Sequence, residues 1–288
     1  MKPENLKTRI FLDSGDVEET KQAISLIGFL DGQTTNPTYF AKSPLVQQRI
    51  KTSGKYTLKE LLDSYKNTVS QISDLIPQGS VSIEVYADKF TKAEAMFKQA
   101  KEMNSWIPNA HIKFPIIPEG VKAAHKALEA GIRVNMTLCF TQEQAAAVYA
   151  LSRGAKRGDV FVSPFMGRHF DAGRNGLDFV SNVIRMYNKG DGHVEVLAAS
   201  LRDLSQFFAA ISNGADIITA GFKYIKEWSL NGLSVPKAGL TYDSSGLQMI
   251  PYQDISLDKQ WDEYDISQEM TAKGLDQFSN DWNSLISK

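Results

Sequence analysis

Short apolar runs alternate with longer amphipathic segments along nearly the whole chain, and eight such runs can be counted. They are TRIFLD (8–13), GFLDGQT (28–34), SVSIEVY (80–86), AHIKFPI (110–116), IRVNMTLC (132–139), DVFVSPF (159–165), VEVLAAS (194–200) and ADIITAG (215–221). The segments between them include TKAEAMFKQAKEM (91–103), EGVKAAHKALEA (119–130), TQEQAAAVYALSRG (141–154) and SQFFAAISNG (205–214), whose apolar residues recur at helical spacing. Glycine shortly before the next run, in EAGIRV, SRGAKRGDV and SNGADI, is helix-to-strand punctuation. Repeated βα units imply a parallel sheet with right-handed crossovers, and eight of them close most simply into a barrel. The expectation is an α/β chain, a single (β/α)8 TIM barrel with an additional C-terminal helix.

At 288 residues the chain suits one such domain. The barrel is expected over about 8–232, with a loop and C-terminal helical extension over about 233–288. NGLSVPKAGLTYDSSGLQMIPYQ (231–253) is rich in Gly, Ser and Pro and reads as a long loop. Leu275, Phe278, Trp282, Leu285 and Ile286 then share one helical face, to be packed on the barrel or on a neighbouring subunit. Residues 37–79 are too long for one short helix, and two are predicted, with SGKY as the break.

A net charge of −1 leaves no strongly basic face for a nucleic-acid backbone, so no nucleic-acid partner is expected. With 42% hydrophobic and 23% charged residues, the composition suits a globular core. Cys139, the single cysteine, rules out an intramolecular disulfide and thiolate-rich metal sites. The N-terminal MKPENLKTRIFLDSGD lacks the apolar centre of a secretory signal, and no segment reaches the ~18 apolar residues of a membrane span. A cytoplasmic protein with no membrane partner is expected.

Barrel chemistry sits at the C-terminal strand ends, where the βα loops converge. The residues there are Asp13, Asn36, Glu84, Lys113, Asn135 with Thr137, Ser163 and Ser200, in strand order. Strand side chains alternate faces, so His111, Lys113 and Pro115 point one way, as do Asn135 and Thr137. If that way is inward, Lys113 can meet Asp13, Glu84, Asn135 and Thr137 around one axis. A buried lysine has two readings: an ion pair kept for structure, or an amine that desolvation prepares for attack on a carbonyl. Spacing alone does not separate them. Arg168 and Arg202 follow the sixth and seventh runs, where this fold commonly grips phosphate, and with Ser200 they read as a phosphate site. His111, His125, His169 and His193 are scattered without metal-ligand spacing, and glycine-rich nucleotide loops are absent, so neither metal nor cofactor is expected.

DGQTTNPTYF, IKFPIIPEGVKAA, NMTLCF, SPFMGR and LAASLRDL resemble, in order, the motifs of the transaldolase family over roughly Asp13 to Ile225. The chain departs from the usual pattern at Gln33, Tyr39, Phe114 and Ile117, where Ile117 stands in place of Ser or Thr. The resemblance implies that Lys113 forms an imine with a ketose phosphate and that Asp13 is the acid/base for the C4 hydroxyl. Glu84 and Thr137 would hold a proton-shuttling water. Asn36, Asn135 and Ser163 would bind substrate hydroxyls, Phe165 would line the site, and Arg168, Ser200 and Arg202 would take the phosphate. It also implies sugar-phosphate substrates, no cofactor and a homo-oligomer. The related fructose-6-phosphate aldolases typically carry Gln where this chain has Glu84 and Tyr where it has Phe165, which favours transfer over release of free dihydroxyacetone. A non-catalytic sugar-phosphate-binding barrel is the third reading.

Overall fold

In a computed structural model, which describes residues 1–237, 239–240 and 242–287, eight parallel strands close on themselves. They are β1 (Arg9–Asp13), β2 (Gly32–Thr34), β3 (Ser80–Glu84), β4 (Ala110–Pro115), β5 (Val134–Cys139), β6 (Val160–Pro164), β7 (Val194–Ala198) and β8 (Ile217–Ala220). Strand order follows chain order, and β8 pairs with β1 to complete the (β/α)8 barrel. The helices between strands are α1 (Val17–Ile27), α2 (Pro37–Lys42), α3 (Pro44–Ser53), α4 (Leu58–Leu75), α5 (Ala93–Asn104), α6 (Pro118–Glu129), α7 (Gln142–Leu151), α8 (Gly167–Asp171), α9 (Gly176–Tyr187) and α10 (Leu204–Ser212). After β8 come α11 (Phe222–Leu230) and α12 (Glu269–Ser284).

The chain between β2 and β3 holds three helices, not the two predicted. The SGKY break is present, between α3 and α4, but a second falls at Ser43–Pro44. Proline lacks the N–H that would continue α2 and holds the residue before it extended, so a new helix starts with Pro44 at its first position. Between α11 and a 3₁₀ turn at Trp261–Glu263 the described residues form no helix and only an isolated bridge, Arg174 to Gln248. Ala238 and Thr241 of the predicted loop, and Lys288 of the predicted extension, lie outside the described residues.

Two apolar layers divide the core. The larger lies between strands and helices; the smaller, inside the barrel, comprises Phe11, Phe161, Leu197, Ala199 and Ile217. His111 stacks on Phe161 at 4.1 Å between ring centroids, so the β4 face that carries His111 and Lys113 does point inward. Burial lowers the His111 pKa to about 3, leaving a neutral ring that fills the barrel floor beneath Lys113.

Helix α12 lies across the C-terminal mouth of its own barrel. Leu275, Phe278, Trp282 and Leu285 are buried by this docking. Trp282 packs on Phe40 of α2 at 5.9 Å and Tyr65 of α4 at 5.6 Å. Thr271 donates to the carbonyl of Leu138 at 2.9 Å and accepts from Gln144 Nε2 at 2.8 Å. No helix among the described residues is long and apolar enough to cross a membrane.

Trp282→Ala should cost about 3–5 kcal/mol, as truncations of buried aromatics do. Urea unfolding followed by fluorescence and circular dichroism checks this; a midpoint equal to that of the parent would show that α12 is not docked through Trp282.

Candidate active site

Neighbouring strands set Glu84, Lys113 and Asn135 in one register row. Lys113 is 3% exposed, with Nζ 3.1 Å from Glu84 Oε2 and 3.5 Å from the carbonyl of Thr35. The approach to Glu84 is close without being aligned. Glu84 Oε2 and Thr137 Oγ1 are both buried polar atoms with no hydrogen-bond partner among the described residues. Buried polar groups are nearly always satisfied, so a carboxyl oxygen held only by an ion pair and a hydroxyl without a partner, on β3 and β5 at either side of β4, stand out from the packing around them.

The rest of the floor is tightly bonded. The Glu84 N–H donates to Tyr65 Oη at 3.1 Å, and that hydroxyl meets Thr35 Oγ1 at 2.5 Å. Asn135 donates to Ser82 at 3.0 Å and accepts from Ser163 at 2.7 Å. Asn36 caps α2 by accepting from the Tyr39 N–H at 2.9 Å with Pro37 next in line, the usual start of a helix, which explains the Asn-Pro pair locally. Gln33 bridges Ser14 O at 2.9 Å and Thr20 at 2.8 Å, tying the end of β1 to α1, so this departure from the family pattern is well satisfied. Ile117, at the N-cap of α6, provides no side-chain cap where a hydroxyl would. Phe114 is fully buried in the strand–helix layer.

Asp13 ends β1 and accepts from Thr34 at 2.8 Å. Burial raises its pKa, opposed by the charge of Lys113 and the Thr34 hydrogen bond. Burial also raises Glu84, to about 7, again opposed by Lys113, with Asp13 pushing it further up. Two carboxyl groups of altered acidity therefore flank one amine.

Above this floor opens a cavity of ≈ 250 Å³ lined by Asp13, Asn36, Lys113, Ser163, Phe165, Arg168, Ser200 and Arg202. Glu84, Asn135 and Thr137 are absent from this wall; they sit among the buried residues beneath or beside it. A larger cleft of ≈ 480 Å³ between α4, α5 and α12 is walled mainly by Leu58, Leu62, Met103, Trp106 and Trp282. Glu84, Lys98 and Glu102 also line it, but Lys113 does not; the smaller cavity is the one that holds the amine together with Asp13, Arg168 and Arg202, so it is the candidate site.

The rim is cationic. Arg202 forms a forked pair with Asp171, at 2.9 and 2.6 Å, and reaches Ser200 Oγ at 3.2 Å. Arg168 donates to Met270 O at 2.9 Å and Gln277 Oε1 at 3.2 Å. Burial and then the nearby Arg202 lower the Arg168 pKa. Two guanidinium groups that repel one another, with a single carboxylate between them, form a place for an anion. Gly167 makes room for this: a Cβ there would stand 2.6 Å from Arg202 Cζ. Ser200, with φ 64°, and Leu138, with φ 59°, adopt left-handed backbone conformations that cost non-glycine residues energy; Ser200 lines the cavity, and Leu138 is buried near the C-terminal end of β5.

Sequence reasoning did not place Tyr39, Tyr224, Gln277 or Phe278 on the cavity wall, nor Asp171 beside Arg202. Asp13 is the leading cause of a raised Tyr39 pKa, which sets that phenol near the acid. Tyr224 donates to Arg202 O at 2.7 Å. The position of Tyr224 just past the eighth strand is a signal that could have found it; nothing in local spacing marks the α12 pair. Among the described residues no three His, Cys, Asp or Glu side chains gather as metal ligands would.

The chain matches the transaldolase/fructose-6-phosphate aldolase family over residues 10–288. It is 37% identical to a probable transaldolase of Dehalococcoides mccartyi over 219 residues, 76% of this chain and 89% of that protein. A probable transaldolase of Leptospira biflexa is 36% identical over 73% of this chain and 85% of its own length. One from Halalkalibacterium halodurans is 30% identical over 96% of this chain and 99% of its own.

Because Glu84 titrates near 7 when folded and at its ordinary 4.5 when unfolded, the folded chain holds the extra proton between those values. Stability should therefore fall as pH rises from about 4.5 to about 7. Glu84→Gln should flatten that fall, leaving the part due to Asp13, whose shift has the same sign. Thermal melts across this range check it; identical slopes in parent and variant would contradict the assignment.

Proposed function

The chain belongs to the transaldolase/fructose-6-phosphate aldolase family, and from that premise we propose that it is a transaldolase working through an imine on Lys113. It moves a dihydroxyacetone unit from a ketose phosphate, fructose 6-phosphate or sedoheptulose 7-phosphate, to an aldose phosphate. The observation that carries this reading is a buried amine 3.1 Å from a carboxyl oxygen, opening on a cavity with two arginines at its rim.

Lys113 Nζ attacks the ketone carbon of the donor, and the carbinolamine loses water to give a protonated imine. Glu84 and Thr137 hold the water that moves protons in this step; their unpartnered oxygens suit that role. Asp13 takes the C4 hydroxyl proton, the C3–C4 bond breaks, and its electron pair is absorbed by the imine as an enamine. The aldose phosphate leaves. Asn36, Asn135 and Ser163 hold the hydroxyls of the retained three-carbon unit against Phe165. A second aldose phosphate then takes a carbon–carbon bond from the enamine and a proton from Asp13, and water frees the new ketose. Arg168, Arg202 and Ser200 hold the phosphate in both half-reactions, and the reading calls for no cofactor.

The aldolase reading differs only in the fate of the enamine, and Glu84 and Phe165 favour transfer. Mixing fructose 6-phosphate with erythrose 4-phosphate should yield sedoheptulose 7-phosphate. Lys113→Met should abolish this, and Asp13→Asn should lower kcat by about 10²–10⁴. Free dihydroxyacetone forming as fast without an acceptor would establish the aldolase instead; transfer that survives Lys113→Met would end both readings.

A further inference from the structure

Arg168 is oriented by α12. Its guanidinium donates to Met270 O and Gln277 Oε1, groups seven positions apart on one helical face, and both acceptors lie more than a hundred residues further along the chain. Gln277 is also part of the cavity wall. A guanidinium has donors only, so the end of the amide turned toward it must be the oxygen. The amide nitrogen of Gln277 is thereby left as a donor at the cationic rim.

The helix cannot slide to give Arg168 another setting. Gly274 lies on the same face, and a Cβ there would stand 2.7 Å from Leu138 Cδ2 and 3.1 Å from Arg168 Nη1. Thr271 fastens the same turn to the carbonyl of Leu138, and Asp281 accepts from Thr38 two turns on. Charge sets a second limit. Arg168 and Arg202 carry two positive charges and Asp171 removes one, so a carboxylate in place of the Gln277 amide would cancel what remains among these groups.

We propose that Gln277 is a specificity-determining residue for the phosphate end of the substrate: its oxygen positions Arg168, and its amide nitrogen donates to the bound phosphate. This rests on the reading of Arg168, Arg202 and Ser200 as the phosphate grip. A neutral Gln277 keeps the group of Arg168, Arg202 and Asp171 net positive, beside Lys42 on the same wall.

Gln277→Glu and Gln277→Ala in the full chain test this, and the exposed position makes both variants compatible with folding. Titration calorimetry with inorganic phosphate should show binding weakened about tenfold by Gln277→Glu and about threefold by Gln277→Ala. In kinetics, Gln277→Glu should raise the KM for fructose 6-phosphate about tenfold more than the KM for unphosphorylated fructose, with the change in KM exceeding that in kcat. Equal phosphate affinity in parent and Gln277→Glu would overturn the proposal, as would KM changes equal for both sugars or a parent that binds no phosphate. Phosphate binding that shows this pattern in a protein with no transfer activity would uphold the role of Gln277 while rejecting the transaldolase reading.

Discussion

The buried Lys113 amine, pressed to within 3.1 Å of Glu84 without an aligned hydrogen bond, is the contact around which the mouth of this barrel is arranged. Taking an ammonium and a carboxylate out of water costs several kcal/mol per ion unless further hydrogen bonds satisfy them. Here they are only partly satisfied. Burial raises the pKa of Glu84 to about 7, so the carboxyl can take or release a proton under ordinary conditions. The surrounding framework is hydrogen-bonded: Tyr65 accepts from the backbone N–H of Glu84, Thr35 pairs with Tyr65, and Ser82, Asn135 and Ser163 bond in a chain across three strands.

The rim is built differently from the floor. Floor side chains come from strands whose register fixes them, whereas the rim is assembled from loops and a returning helix. Its Ser200 is left-handed, and the left-handed Leu138 near the end of β5 is held through Thr271 of α12. This division fits the proposed chemistry, in which the reacting carbons need fixed geometry and the phosphate needs a charged grip. It also gives α12 two tasks, covering apolar surface with Trp282 and Phe278 and setting the direction of Arg168.

Much of this could be read from the sequence. The alternation of apolar runs marked eight strands in order, and strand alternation put His111 and Lys113 on one face, which the stacking of His111 on Phe161 shows to be the inner one. Contacts that depend on distant chain returning were beyond it. Gln277 meets Arg168 across 109 positions, and no periodicity in either segment encodes that meeting. Tyr39 stood out only as an unusual residue; its place beside Asp13 comes from the direction in which Asn36 and Pro37 launch α2. The third helix before β3 was missed, although Ser43–Pro44, where proline breaks a helix for a local reason, carries a signal for it. The 3.1 Å approach of Glu84 to Lys113 needed the register of β3 against β4, which strand alternation does not supply.

Covalent trapping bears most directly on the central claim. Borohydride reduction of the protein in the presence of fructose 6-phosphate, with peptide mass spectrometry as the readout, should find a reduced three-carbon adduct on Lys113. An adduct on another residue, or none under conditions that support turnover, would contradict the account.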